Sequence, residues 1–178
     1  MSGGTGVVPT GRVRALPVCS AESRSGVGTA FQQPWPLQSH LPLGAQPTAP
    51  ACARGHTGAV LREWGLGHLV EDAELLVSEL VTNAVRASDR LRVRADLAIV
   101  PAIQLWLVSD LISLVIHVWD GNDEMPVRRN SGPDDESGWG LMLVESLSSE
   151  WGAYRKKPGK TVWCKLDSLH SQPARGWT

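Results

Sequence analysis

AELLVSELVTNAVRA, residues 73–87, places Leu76, Val77, Leu80, Val81 and Ala84 at spacings of three and four. That period predicts a helix with one apolar face on a core. Glu79 and Asn83 lie four apart beside the stripe, so they project one above the other. A carboxylate and a carboxamide at that spacing supply a proton acceptor and a hard oxygen ligand, the two groups that magnesium-nucleotide chemistry requires. By themselves they are also ordinary polar residues of a solvated helix surface.

Upstream, residues 1–36 are rich in Gly, Ser, Pro and Thr and show no sustained apolar period, which predicts a disordered leader. Residues 37–43 form a short apolar stretch interrupted by Pro42, at best an edge strand. Residues 51–64 suit a helix buried through Ala53, Val60, Leu61 and Trp64 and ended at Gly65, although Gly55 and Gly58 weaken it. The organising helix begins near Val70.

Downstream, residues 91–97 alternate apolar and polar side chains, as a half-buried strand or a polar-faced extension would. IQLWLV (103–108) and ISLVIHVW (112–119) read as antiparallel strands around a turn at Ser109-Asp110. Counting by twos puts Ile112, Leu114, Ile116, Val118 and Asp120 on one face, so Asp120 points where the core-facing side chains point. An ionised carboxylate there needs hydrogen-bond donors. Residues 121–138 are a long polar loop. Gly138-Trp-Gly140-Leu141 then feeds a helix carrying Leu141, Met142, Val144 and Leu147. A small-residue turn at a helix N-terminus presents free backbone amides to phosphate. Trp151-Gly152 is expected to end that helix, residues 159–166 to form a last strand, and residues 168–178 a tail. The expected architecture is an α+β two-layer sandwich: a mixed, mostly antiparallel sheet covered on one face by helices.

The 178 residues carry 17 Lys and Arg against 18 Asp and Glu, and this near neutrality argues against a broad nucleic-acid footprint. Cys19, Cys52 and Cys164 are odd in number and far apart, which fits reduced thiols and a cytoplasmic location better than a disulfide framework. No apolar run has membrane-spanning length, and no secretory signal is evident. The eight tryptophans are many for this size and point to packing or a partner surface. The histidines are dispersed without metal-ligand spacing.

Four features remain to be joined: Glu79-Leu-Val-Thr-Asn83-Ala, Val118-Trp-Asp120-Gly-Asn-Asp-Glu-Met-Pro126, Gly138-Trp-Gly140-Leu-Met-Leu-Val144, and Trp151-Gly152 with Gly159-Lys-Thr161-Val-Trp163. In this order they resemble the GHKL ATPase superfamily, and within it the bacterial anti-sigma-factor serine/threonine kinases, over residues 37–167. The resemblance implies ATP and Mg²⁺ as cofactors. It implies Glu79 as the base, Asn83 as the magnesium ligand, and Asp120 as acceptor of the adenine amino group with Thr161 supporting that contact. It also implies Gly138, Gly140 and Leu141 at the phosphates under a lid formed by residues 121–137. Phosphorylation of a serine or threonine on a protein antagonist follows as the expected activity. The alternative is a non-catalytic module that sequesters a sigma factor or other regulator. Kinases of this type often pair, so a homodimer is among the expectations; direct nucleic-acid or membrane contact is not. The chain departs from the superfamily pattern in three places, one of them Gly55 and His56 in a helix where relatives usually have arginine-rich sequence. Asp120-Gly-Asn-Asp-Glu replaces Asp-x-Gly-x-Gly, and Trp139 stands where many relatives carry Arg.

Overall fold

A computed structural model describes residues 35–94, 100–126 and 139–168. In chain order it has β1 (Leu37–Gly44), α1 (Ala49–Glu63), a 3-10 turn (Gly67–Leu69), α2 (Val70–Arg94), β2 (Ala102–Ser109), β3 (Ser113–Asp120), α3 (Trp139–Leu147), β4 (Glu150–Arg155) and β5 (Lys160–Asp167). The strands form one sheet in the order β1-β2-β3-β5-β4. Every pairing is antiparallel, so the parallel component expected of a mixed sheet is absent among the described residues.

The core lies between the helices and one face of the sheet. Leu76, Val77, Leu80, Val81 and Ala84 of α2 are buried, as their spacing predicts. They meet Ile103, Leu105 and Leu107 of β2, Leu114, Ile116 and Val118 of β3, and Cys164 and Leu166 of β5 in one apolar cluster. Burying side chains of this size is worth about 1.5–3 kcal/mol each, which makes this cluster the main source of stability. Gly58 of α1 faces α2, where a Cβ would lie 2.7 Å from the Arg62 guanidinium and overlap the Glu74 carboxylate. The glycine that weakened the helix prediction thus gives room to two packed helices. Gly65, at φ +73°, ends the α1 segment.

Three expectations change, and the edge strand expected at residues 37–43 is present. Helix α2 runs on through Arg94 instead of giving way to a strand at residue 91, and Arg90 and Arg94, one turn apart, both reach Glu124. Residues 95–97 lie outside the described residues. Ile112 is 63% exposed and precedes β3, because Asp110 accepts hydrogen bonds from the backbone N–H groups of Ile112 and Ser113 and closes the turn there. Trp151-Gly152 sits inside a fifth strand, β4, instead of ending α3, which stops at Leu147. Its hydrogen bonds come from β5, a partner that local periodicity does not reveal. Pro42 is accommodated because β1 is an edge strand paired with β2 alone.

Among the described residues no helix covers the second face of the sheet. One register row crosses it as His40, Trp106, His117, Trp163 and Gly152. His40 stacks on Trp106 at 4.8 Å, and the Lys156 ammonium lies 5.5 Å from the same ring. Part of the tryptophan excess therefore belongs to this half-buried layer. Among the described residues no helix is long and apolar enough to cross a membrane.

Candidate functional site

A cavity of about 710 Å³ opens between α2, the end of β3, the start of β5 and α3. That is the size range of small-molecule and cofactor sites. Its floor is apolar, through Leu80, Ala84, Val118 and Val162, and its polar lining includes Asn83, Arg86, Arg90, Asp120 and Lys160.

At one end, α2 supplies Asn83 to the lining, with Glu79 one turn before it and just outside the lining, and α3 begins directly against both. A Cβ built on Gly140 would lie 2.7 Å from Glu79 Oε2 and 3.3 Å from Asn83 Nδ2. The absence of a side chain at Gly140 is what lets the first turn of α3 approach the carboxylate and the carboxamide. Leu141 lines the cavity next to it. Gly138 lies outside the described residues, and so does most of the expected lid, residues 127–137.

At the other end, Asp120 is the last residue of β3 and is 2% exposed, on the inward face that alternation predicts. Its carboxylate has internal partners. Oδ1 accepts hydrogen bonds from Lys160 Nζ at 2.8 Å and from the Asn122 backbone N–H at 2.9 Å. Lys160 also donates to the Asn122 carbonyl at 3.1 Å. Burial raises the Asp120 carboxyl above the usual carboxylate range; the Lys160 hydrogen bond and charge, the Asn122 N–H and the Arg90 charge act the other way without cancelling it.

The sheet register places Thr161 differently from expectation. Lys160 lies opposite Asp120, whereas Thr161 lies opposite Trp119 on β3 and Tyr154 on β4, on the face turned away from α2. Thr161 is buried there and is not among the residues lining the cavity. The strand position beside Asp120 belongs to Lys160. The signal was present in the sequence: counting back by twos from Leu166, Cys164 and Val162, all turned inward, reaches Lys160 and not Thr161.

Two more residues, quoted within the motifs but given no role of their own, shape the site. Asn122 is 2% exposed and its Nδ2 donates to the Ala87 carbonyl of α2 at 2.9 Å, while its Oδ1 accepts the Glu124 N–H at 2.8 Å. Where the superfamily pattern has glycines after the aspartate, this chain shapes the turn with an asparagine that ties it to α2. Gly159, at φ +96°, precedes Lys160; a Cβ there would overlap the Asp120 carbonyl oxygen and lie 2.9 Å from Gly121 Cα. Both neighbours are backbone, so the position accepts only glycine.

Comparison with known families matches residues 43–166 to the histidine kinase-like ATPase domain. The chain belongs to that family. This histidine kinase-like ATPase domain is also 35% identical over 103 residues to the serine-protein kinase RsbW of Staphylococcus aureus, a match that covers 52% of the chain and 62% of that relative. Membership implies use of ATP and agrees with the α+β architecture. The matched span contains both ends of the cavity, from Glu79 on α2 to Lys160 on β5.

Whether this ATPase domain could hold a metal can be judged from its donors. Among the described residues no cluster of three or more His, Cys, Asp or Glu forms a metal cage. Magnesium in nucleotide sites does not need one, since one or two protein oxygens suffice beside phosphates and water. The Asn83 carboxamide, next to the Glu79 carboxylate in the gap kept open by Gly140, is a donor set of that kind.

Proposed function

We propose that this chain is an ATP-binding regulatory protein of the anti-sigma-factor kinase type, which transfers the γ-phosphoryl group of ATP to a serine or threonine of a protein antagonist. One observation carries the reading: a cavity of nucleotide size has a buried carboxylate, Asp120, at one end and the Asn83 carboxamide at the other, where Asn83 and the Glu79 carboxylate one turn before it pack against Gly140 in the first turn of a helix. The family membership and the likeness to a serine-protein kinase support it.

In this reading the adenine enters over Leu80, Ala84, Val118 and Val162, which supply an apolar slot, and Asp120 accepts a hydrogen bond from the exocyclic amino group. Asn83 would hold Mg²⁺, which when bound offsets phosphate charge. Glu79 accepts the proton of the attacking hydroxyl, and Gly140 lets the backbone of α3 come near the phosphates with its amides free. Arg86, three residues on from Asn83 and on the cavity wall, adds positive charge towards the triphosphate, whereas the Arg90 charge acts on Asp120 at the adenine end. The protein's task is positioning and charge stabilisation, which is what phosphoryl transfer demands.

The test combines binding with transfer. ATP affinity is measured by calorimetry with Mg²⁺, and proteins captured from lysate on the chain are then incubated with ATP labelled at the γ position. Label is expected on a serine or threonine of a captured protein with the wild type. The Glu79→Ala variant is expected to bind ATP as tightly and transfer none. No ATP binding would remove the proposal, and binding without transfer would favour a module that sequesters its partner.

A further inference from the structure

We infer that Lys160 reads the base directly, donating a hydrogen bond to N1 of the adenine ring beside the contact that Asp120 makes with the amino group. The inference rests on the ATP-binding reading and adds a specificity-determining residue to it. An ammonium has three donors. Two are committed, one to Asp120 Oδ1 and one to the Asn122 carbonyl, which leaves one N–H. Asp120 is in the complementary position. Oδ1 already takes two hydrogen bonds, from Lys160 and from Asn122 N–H, and among the described residues no other hydrogen-bond partner of this carboxylate occurs. The only buried side-chain polar atom without a partner among the described residues is Ser88 Oγ, so Asp120 Oδ2 is not sealed off. Both residues line the cavity.

The pair therefore presents a free acceptor and a free donor next to each other, held at a fixed spacing by a 2.8 Å ion pair between adjacent strands. Adenine offers the matching edge, with the N6 amino group as donor and N1 as acceptor, both attached to C6. A carboxylate alone reads only the first of these. Lys160 adds the second, and because its side chain is 6% exposed it does so in a site where water competes poorly. The lysine is fixed before the ligand arrives, so little ordering opposes the contact.

The experiment uses the full chain and three nucleotides: ATP, 1-deaza-ATP, which lacks the N1 acceptor, and 7-deaza-ATP, which is altered on a different edge. Affinities are measured by calorimetry with Mg²⁺. For the wild type, 7-deaza-ATP is expected to bind as ATP does and 1-deaza-ATP roughly 10- to 100-fold more weakly, the range for a hydrogen bond from a charged donor. In Lys160→Met the ratio between ATP and 1-deaza-ATP should fall to about one, and in Lys160→Gln, which keeps a neutral donor, it should fall only part of the way. Equal wild-type affinity for ATP and 1-deaza-ATP overturns the role of Lys160 while leaving ATP binding intact, and this comparison needs no variant that might misfold. Failure of ATP and both analogues to bind overturns the inference together with the reading beneath it.

Discussion

Replacing Lys160 with methionine isolates the energetics of the buried pair. The change keeps the length of the side chain and removes its charge, leaving Asp120, 2% exposed, with only the Asn122 N–H as donor. An exposed pair lost in this way would matter by less than about 1 kcal/mol. A buried one broken on a single side is expected to cost about 3–5 kcal/mol, because the remaining charge is neither solvated nor matched. Lys160→Met should therefore lower the urea midpoint sharply at pH 7. The double variant with Asp120→Asn should recover much of the loss, since no charge is then stranded. The pH dependence has a definite sign. The Asp120 carboxyl is already raised in the fold by burial, and loss of the lysine raises it further. A carboxyl raised on folding binds its proton more tightly in the native state, so its contribution is favourable at low pH and is lost as pH rises through the folded pKa. The deficit of Lys160→Met should thus shrink as pH falls from neutral into the acid range, where the raised Asp120 carboxyl takes up its proton. An unchanged midpoint at pH 7, or a deficit that does not vary with pH, would refute the assignment of a buried, mutually dependent pair.

Three further outcomes are expected. Gly159→Ala should lose about 2–4 kcal/mol in urea unfolding, since a Cβ at φ +96° meets the Asp120 and Gly121 backbone, which cannot turn aside; near-wild-type stability would contradict the contact. Gly140→Ala should change stability by no more than about 1 kcal/mol, because the groups it meets are side-chain ends that can shift. It should nevertheless weaken ATP binding by calorimetry, roughly tenfold, through displacement of Glu79 and Asn83. His117 has its pKa lowered to about 4 by burial and then by the Lys156 charge. The ring resists protonation only in the fold, so its contribution is complete above about pH 6.5 and is lost as pH falls through about 4. With its partial exposure allowed for, the loss is about 2–3 kcal/mol. Thermal melts of wild type and His117→Leu across this window should diverge in slope, and parallel curves would remove His117 as the source.

The sequence by itself determined whatever depends on neighbours a few residues away. The apolar period of residues 73–87 specifies a helix and its buried stripe, and the same spacing stacks Glu79 on Asn83. Alternation along β3 turns Asp120 inward, and the order of the motifs leads to the ATPase family. Tertiary structure decided what depends on partners far along the chain. Asp120 needed donors; that they come from Lys160, forty residues away on a neighbouring strand, follows from sheet register, and a shift of one residue would exchange Lys160 for Thr161 at the cavity. Strand β4 exists because β5 offers it hydrogen bonds, and its own residues carry no period that announces it. Asn122 reads as an ordinary turn residue until Ala87 of α2 is brought within 2.9 Å of its amide. A periodic pattern fixes the direction in which a side chain points, whereas the group it meets there is set by how distant segments pack.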